Sequence, residues 1–203
     1  MKVFVLPTML CIPTKNIFKL HGWEIVSHPE EADVHVFTGG EDISPLIYGQ
    51  LPHTETSWND NRDRYEIHMY ESYPDIAKVG ICRGAQLFCA LNDGNLIQDI
   101  TSHHPSQHGM DYNGELIVIN SYHHQACIRN DELFDVIATP HIDVEGECVY
   151  KKHGVLYNIE GTMEMFRVKG ERVLGVQYHP ELSGCSDKAI EVFFEEVKKC
   201  VEL

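Results

Sequence analysis

The chain is short of positive charge: 16 Lys and Arg stand against 31 Asp and Glu in 203 residues, a formal net charge of −15 with histidine neutral. A phosphate backbone or an anionic membrane surface would repel it at long range, so no nucleic acid and no membrane is expected as a partner. Small molecules and proteins remain. Long hydrophobic runs are missing too. Nowhere do about 18 apolar residues follow one another, the length a membrane-spanning helix needs, and the opening MKVFVLPTML is too short and too weakly basic for a secretory signal. A cytoplasmic protein is expected. The 7 cysteines are odd in number and none sits in a C-x-x-C pair, which suits reduced thiols better than a disulfide framework. Internal repeats, low-complexity tracts and linkers are absent as well. Residues 1–203 are therefore expected as a single domain, with 43% hydrophobic content available for its core.

What is present is an alternation of short apolar runs and helical periodicities. Lys2 to Leu6, Trp23 to Ser27 and Val34 to Thr38 read as strands, with room for one small helix near Lys15 to Leu20. From Asn59 to Tyr73 the residues Tyr65, Met69 and Tyr73 recur every fourth position; Asp60 or Asn61 can cap the start and Pro74 closes the pattern, which predicts an amphipathic helix. Lys78 to Cys82 reads as a strand and Ala85 to Leu91 as a helix ending at Asp93-Gly94. In the second half, Leu116 to Asn120, Val136 to Thr139, Cys148 to Lys151, Val155 to Ile159, Met165 to Val168 and Val173 to Tyr178 are strand-like. A terminal helix opens at Ser186 and carries Ile190, Phe193, Phe194, Val197 and Cys200 or Val201 on one face. The pattern predicts an α/β protein of three layers, a mostly parallel central sheet flanked by helices and extended by antiparallel strands in the second half.

Chemistry is concentrated at Gly80-Ile81-Cys82-Arg83-Gly84, between a predicted strand and a predicted helix. Flanking glycines let the chain bend sharply and let a substrate approach, and the helix that follows directs unpaired N–H groups and a positive dipole end at the sulfur. Both favour a thiolate, and the N–H of Arg83 can face a developing oxyanion. Cys89, two helical turns further on beside Phe88, reads as core. A nucleophilic thiol needs a base, and Gly175-Val176-Gln177-Tyr178-His179-Pro180-Glu181 offers one at the end of an apolar strand. His179 and Glu181 lie two apart in an extended segment. The carboxylate can bind one imidazole nitrogen and leave the other free to take a proton from sulfur.

Together, G-x-C-x-G, Gln86 three residues into the helix and the strand-end GVQYHPE resemble the class I glutamine amidotransferases, whose triad is Cys-His-Glu. TGGEDISPLIYGQ from Thr38, RDRYEIHMYESY from Arg62, GNLIQDI from Gly94 and NSYHHQA from Asn120 resemble more closely their gamma-glutamyl hydrolase branch, peptidase C26-like and including gamma-glutamyl-GABA hydrolases. The resemblance implies a flavodoxin-like fold and a catalytic set of Cys82, His179 and Glu181. It implies an oxyanion hole from the N–H groups of Gly40 and Arg83, and a site for the amino-acid end of a glutamyl group at Gly39, Gln86, Ser121, Tyr122 and His123. The chain departs from the branch in being short before Cys82, in having Asp93 where a second glycine is usual, and in residues 140–165, which match nothing familiar.

The activity implied is hydrolysis of a gamma-glutamyl amide bond through a glutamyl thioester, with a small-molecule substrate, no cofactor and no metal. An alternative is a glutaminase that supplies ammonia to a separate synthase protein, since no G-x-x-x-x-G-K-[ST] loop is present to bind a nucleotide here. A third is a ligand-binding or redox-sensing relative without turnover. A homodimer is compatible with all three. His103, His104, His108, His123 and His124 tempt a metal assignment, but adjacent histidines do not share a face and lack helical i,i+4 spacing. They read instead as a polar rim, with His123 supporting the glutamyl site and the others solvated.

Overall fold

A computed structural model describes residues 1–100, 106–141, 150–152, 155–157 and 161–203. Its elements run β1 (Lys2–Val5), α1 (Cys11–Leu20), β2 (Glu24–Ile25), β3 (Val34–Phe37), α2 (Asp60–Ser72), β4 (Ala77–Ile81), α3 (Arg83–Leu91) and β5 (Leu96–Ile97). They continue with β6 (Ser106–Tyr112), β7 (Glu115–Ser121), β8 (Ala126–Cys127), β9 (Phe134–Pro140), β10 (Tyr150–Lys152), β11 (Val155–Tyr157), β12 (Met165–Val168), β13 (Val173–Val176) and α4 (Asp187–Glu202). The main sheet has 9 strands in the order β2-β1-β3-β4-β13-β12-β9-β6-β7. From β2 to β13 every neighbour is parallel; β12, β9, β6 and β7 extend the sheet antiparallel, as the hairpin-rich second half predicts. Of the strands expected at Cys148 to Lys151 and Val155 to Ile159, the parts at 148–149 and 158–159 lie outside the described residues.

Helices cover both faces because the central strands of the parallel part, β3, β4 and β13, are buried on both sides. Val34 to Phe37 and Ala77 to Ile81 are buried throughout. On one face α1 and α4 pack through Phe18, Phe193 and Phe194, with Phe18 edge-on to both rings at 5.9 and 5.1 Å. On the other, α3 sets Phe88 edge-on to Phe37 at 4.9 Å, and α2 adds Met69 to the same core. Ser186 caps α4 by accepting the N–H of Ala189.

Three readings need correction. Asn59, rather than Asp60 or Asn61, caps α2, its side chain accepting from the N–H groups of Asn61 and Arg62. The buried side of α2 is Asp63, Glu66 and Met69, while Tyr65 is exposed, so the helix docks through charge as much as through apolar contact. Strand β6 lies in a stretch read only as histidine-rich. Asn113 and Gly114, at φ of 52° and 81°, turn it into β7, the backbone a two-residue hairpin loop requires. Asp93 takes φ of 60° and makes the turn that a glycine would make.

Candidate functional site

Three adjacent parallel strands deliver the site at their carboxyl ends, where open α/β sheets gather ligands and reactants. Strand β3 runs into Thr38-Gly39-Gly40, β4 into Cys82, and β13 into Tyr178-His179. Cys82 sits between β4 and α3 at φ 51° and ψ −103°, with its N–H on the Val176 carbonyl at 2.7 Å and its own carbonyl accepting from the Gln86 N–H at 3.0 Å. This is the sharp elbow expected. Its glycines are required by contact: a Cβ at Gly80 would lie 2.4 Å from the Gly84 carbonyl carbon, and one at Gly84 would lie 2.4 Å from the Phe37 carbonyl oxygen. Cys89 is fully buried in the core, as expected.

His179 is fixed from several sides. Its Nδ1 lies 2.7 Å from Glu181 Oε1, and the Glu181 side chain is fully buried. Asn120 clamps the main chain: its Nδ2 donates to the His179 carbonyl at 2.8 Å, and its Oδ1 accepts the His179 N–H at 2.8 Å. Tyr122 stands edge-on to the ring at 5.8 Å, and Gly39 approaches so closely that a Cβ there would be 2.4 Å from His179 Cε1. Burial pushes the imidazole pKa down. The Cys82 sulfur, by charge and by hydrogen bond, and then the Glu181 carboxylate outweigh burial and lift it from 6.5 to about 10. A cysteine beside an imidazole that is backed by a buried carboxylate is the side-chain set that nucleophilic attack on a carbonyl and proton delivery to a departing amine require.

The remaining candidates are distributed around this line. Gln86 is buried on α3, its Nε2 donating to the Gln125 carbonyl at 3.3 Å. Ser121 ends β7, fully buried, and Tyr122 donates to the Ser183 carbonyl at 3.4 Å. His123 is buried with Nδ1 2.7 Å from the Gln125 carbonyl; burial lowers its pKa to about 4, against the pull of Glu164. The side chain of Arg83 turns away from the elbow and is fully buried against Asp63 and Glu66. Gly40 has φ of 150° and lies over the Arg62 guanidinium.

The expectation that the other imidazoles are solvated is wrong for two of them. The His108 side chain is 7% exposed, with Nε2 2.9 Å from Glu164 Oε1; burial pushes the Glu164 carboxyl up, but His108 and His123 together outweigh it and hold it below the usual carboxylate range. His124 bonds Asp42 at 2.9 Å and lies 3.5 Å from Asp99; the Asp42 hydrogen bond chiefly raises its pKa. His103 and His104 lie outside the described residues. Asn120, Glu164 and Arg62 carry structural tasks at or beside the site that the sequence reading gave them no part in. A cavity of about 510 Å³ lined by Tyr70, Lys78, Glu171 and Arg172 opens at the opposite, amino-terminal ends of β4 and β13, away from Cys82. Among the described residues, no helix is long and apolar enough to cross a membrane.

Comparison with known proteins agrees with the resemblance. Residues 23–115 match the family model for Peptidase C26. The chain is 28% identical to the glutamine amidotransferase-like protein YvdE of Lactococcus lactis subsp. lactis over 80% of its own length and 72% of that protein. It is 27% identical to protein NtpR of Enterococcus hirae over 82% and 74% of the two chains. Among solved structures it superposes on a GMP synthase subunit protein from Thermoplasma acidophilum, with TM-score 0.64 at 16% identity, covering 100% of this chain and 94% of that one. A glutamine amidotransferase from Thermotoga maritima gives TM-score 0.59 at 13% identity, covering 100% and 84%. These two establish the fold. Together with the family model and the relatives, they bear out the resemblance to the class I glutamine amidotransferase-like proteins and to peptidase C26.

Proposed function

We propose that this glutamine amidotransferase-like chain hydrolyses the gamma-glutamyl amide bond of a small molecule, a gamma-glutamyl amine or peptide or glutamine, with Cys82, His179 and Glu181 as its triad. The observation that carries the reading is the His179 ring, held by the buried Glu181 at 2.7 Å on one side and close enough to Cys82 for the sulfur to raise its pKa. Cys82 as thiolate attacks the gamma-carbonyl, and the oxygen that gains charge is met by the N–H groups of Gly40 and Arg83. The His179 imidazolium gives its proton to the leaving nitrogen, and the amine departs from a glutamyl thioester. His179, now neutral, takes a proton from water as it attacks the thioester. Glutamate leaves and the thiolate-imidazolium pair is restored.

The amino-acid end of the substrate is assigned to Gly39, Gln86, Ser121, Tyr122 and His123. Ser121 Oγ and Gln125 Oε1 are buried with no hydrogen-bond partner among the described residues, as polar groups waiting for a charged ligand end would be. A second reading, ammonia supply to a synthase partner, is favoured by one observation. Met9, Ile12, Leu46 and Leu51 are more than half exposed in the segments that follow β1 and β3, on the side of the sheet that carries Cys82.

The purified chain, incubated with glutamine and a panel of gamma-glutamyl amines and peptides, should release glutamate unaided. Reading ammonia separately identifies the leaving group. Cys82→Ser should abolish release while Cys89→Ser keeps most of it; equal losses would overturn the assignment. Turnover of glutamine only when a partner is added would replace the first reading by the second.

A further inference from the structure

Arg62, on the first turn of α2, reaches into the loop that follows β3. Its NH2 donates to the Thr38 carbonyl at 2.9 Å and to the Gly39 carbonyl at 3.0 Å, its Nε to Glu66 at 2.8 Å, and its NH1 to Glu41 at 2.6 Å. Four of the guanidinium's five N–H groups are thereby engaged, and its side chain is only 8% exposed. Glu66 uses its second oxygen for Arg83, whose other terminal nitrogen is held by Asp63. One buried carboxylate thus ties the arginine under the β3 loop to the arginine that follows Cys82.

The consequence lies in the Gly39–Gly40 peptide. No described peptide bond is cis, and in a planar trans peptide the carbonyl and the N–H point in opposite directions. Holding the Gly39 carbonyl on the Arg62 side therefore aims the Gly40 N–H at the other side. Gly39 meets the His179 ring, and the Gly40 N–H makes no hydrogen bond among the described residues. At φ of 150° Gly40 lies so close over the guanidinium that a Cβ would come 2.1 Å from Arg62 NH1. Side chain and glycine interlock.

The geometry points to Arg62 as a positioning residue that fixes the Gly40 N–H as an oxyanion donor, with Glu66 coupling that donor to the Arg83 N–H at the elbow. This rests on the proposed function for what the donors stabilise, and it sharpens that reading. The donor direction is set inside the chain by α2, so no partner protein is needed to assemble it, which favours hydrolysis by the chain alone.

The test combines structure and kinetics on Arg62→Ala and Arg62→Lys. In crystals of Arg62→Ala the Gly39–Gly40 peptide should lose its fixed direction; an unchanged peptide overturns the inference whether or not any substrate is found. With a substrate that the wild type hydrolyses, Arg62→Ala should lower kcat about 10²-fold, the effect of losing one oxyanion donor, with KM changed less than about threefold. Alkylation of Cys82 by iodoacetamide, which needs the thiolate but no oxyanion hole, should continue at near the wild-type rate. Arg62→Lys should recover part of kcat, since an ammonium can hold one carbonyl but not both and Glu66 as well. Arg64→Gln, two residues away on the exposed side, should leave kcat alone. Loss of alkylation and turnover together would reduce Arg62 to a folding role. An inactive wild type with a rotated peptide in Arg62→Ala would overturn the proposed function and leave the positioning role standing.

Discussion

Gly39→Ala isolates the placement of one ring. The backbone at Gly39 is not in the left-handed region, so alanine adds no conformational strain there. It adds a methyl 2.4 Å from His179 Cε1, 3.3 Å from Nε2 and 3.2 Å from Leu10 Cδ1. Non-bonded carbons rest about 3.5–4.0 Å apart, so the imidazole or Gly39 has to retreat by about 1 Å. Leu10 can swing its tip away. The ring cannot follow cheaply, because Glu181 holds Nδ1 at 2.7 Å and Asn120 clamps the main chain on both sides at 2.8 Å. A misplacement of about 1 Å at a reacting group costs on the order of 10²-fold, which is about 2.7 kcal/mol of barrier. Overpacking adds about 1–3 kcal/mol of lost stability, visible as about 2–4 °C in Tm per kcal/mol for a chain of this size. Glutamate release under steady-state conditions, with Cys82 alkylation followed in parallel, should show kcat falling about 100-fold and alkylation at neutral pH slowing, because the thiolate loses its imidazolium. A folded Gly39→Ala protein within about threefold of wild type in both measurements would refute the reasoning.

The His179 pKa of about 10 is raised from 6.5, so the imidazolium persists through neutral pH and is lost above about 10. kcat should therefore fall on an alkaline limb near pH 10 while alkylation of Cys82 does not; a limb near pH 6.5 would contradict the ion pair. His123 is shifted the other way, from 6.5 to about 4. Between those values the unfolded chain binds a proton that the folded chain does not, so stability rises with pH across the window and is lost on acidification, by about 3 kcal/mol at pH 4. Urea unfolding at several pH values should show this component in the wild type, and His123→Gln should lack it. Glu181→Gln should slow turnover yet leave Cys82 measurably alkylated, since the carboxylate orients the base and does not itself react; complete loss of alkylation would make Glu181 a structural requirement instead.

How far the sequence speaks depends on whether a residue's partner is local. The elbow at Gly80 to Gly84 and the His179-Glu181 pair are short-range patterns, and each appears where its spacing puts it. The two strands that carry them are continuous apolar runs, as buried parallel strands are. Arg62 and Glu66 were hidden in a segment whose four-residue spacing of Tyr65, Met69 and Tyr73 suggests an apolar face, although Asp63 and Glu66 are buried there. A buried charge leaves no periodic trace, because what makes it tolerable is a partner such as Arg83 some twenty positions away in sequence, 17 from Glu66 and 20 from Asp63. Asn120, bonded to His179 across 59 residues, and Glu164, bonded to His108 across 56, are invisible for the same reason. Strand β6 is a different case: Asn113-Gly114 is a strong hairpin signal, outweighed in reading by the histidines before it.

The backbone at Cys82 carries a consequence for how such a chain changes over generations. Among the described residues, Cys82, Asp93 and Asn113 are the non-glycine residues at positive φ. Asp and Asn tolerate this region through local hydrogen bonds of their short side chains, whereas a cysteine has no such compensation and bears a cost on the order of 1–3 kcal/mol. Glycine would relax the elbow at once. Under the proposed function the strained position is also the one the reaction cannot lose, and random drift toward a sturdier fold would remove the thiol early. A descendant with glycine at this elbow and its neighbours intact would be a relic that had exchanged chemistry for robustness.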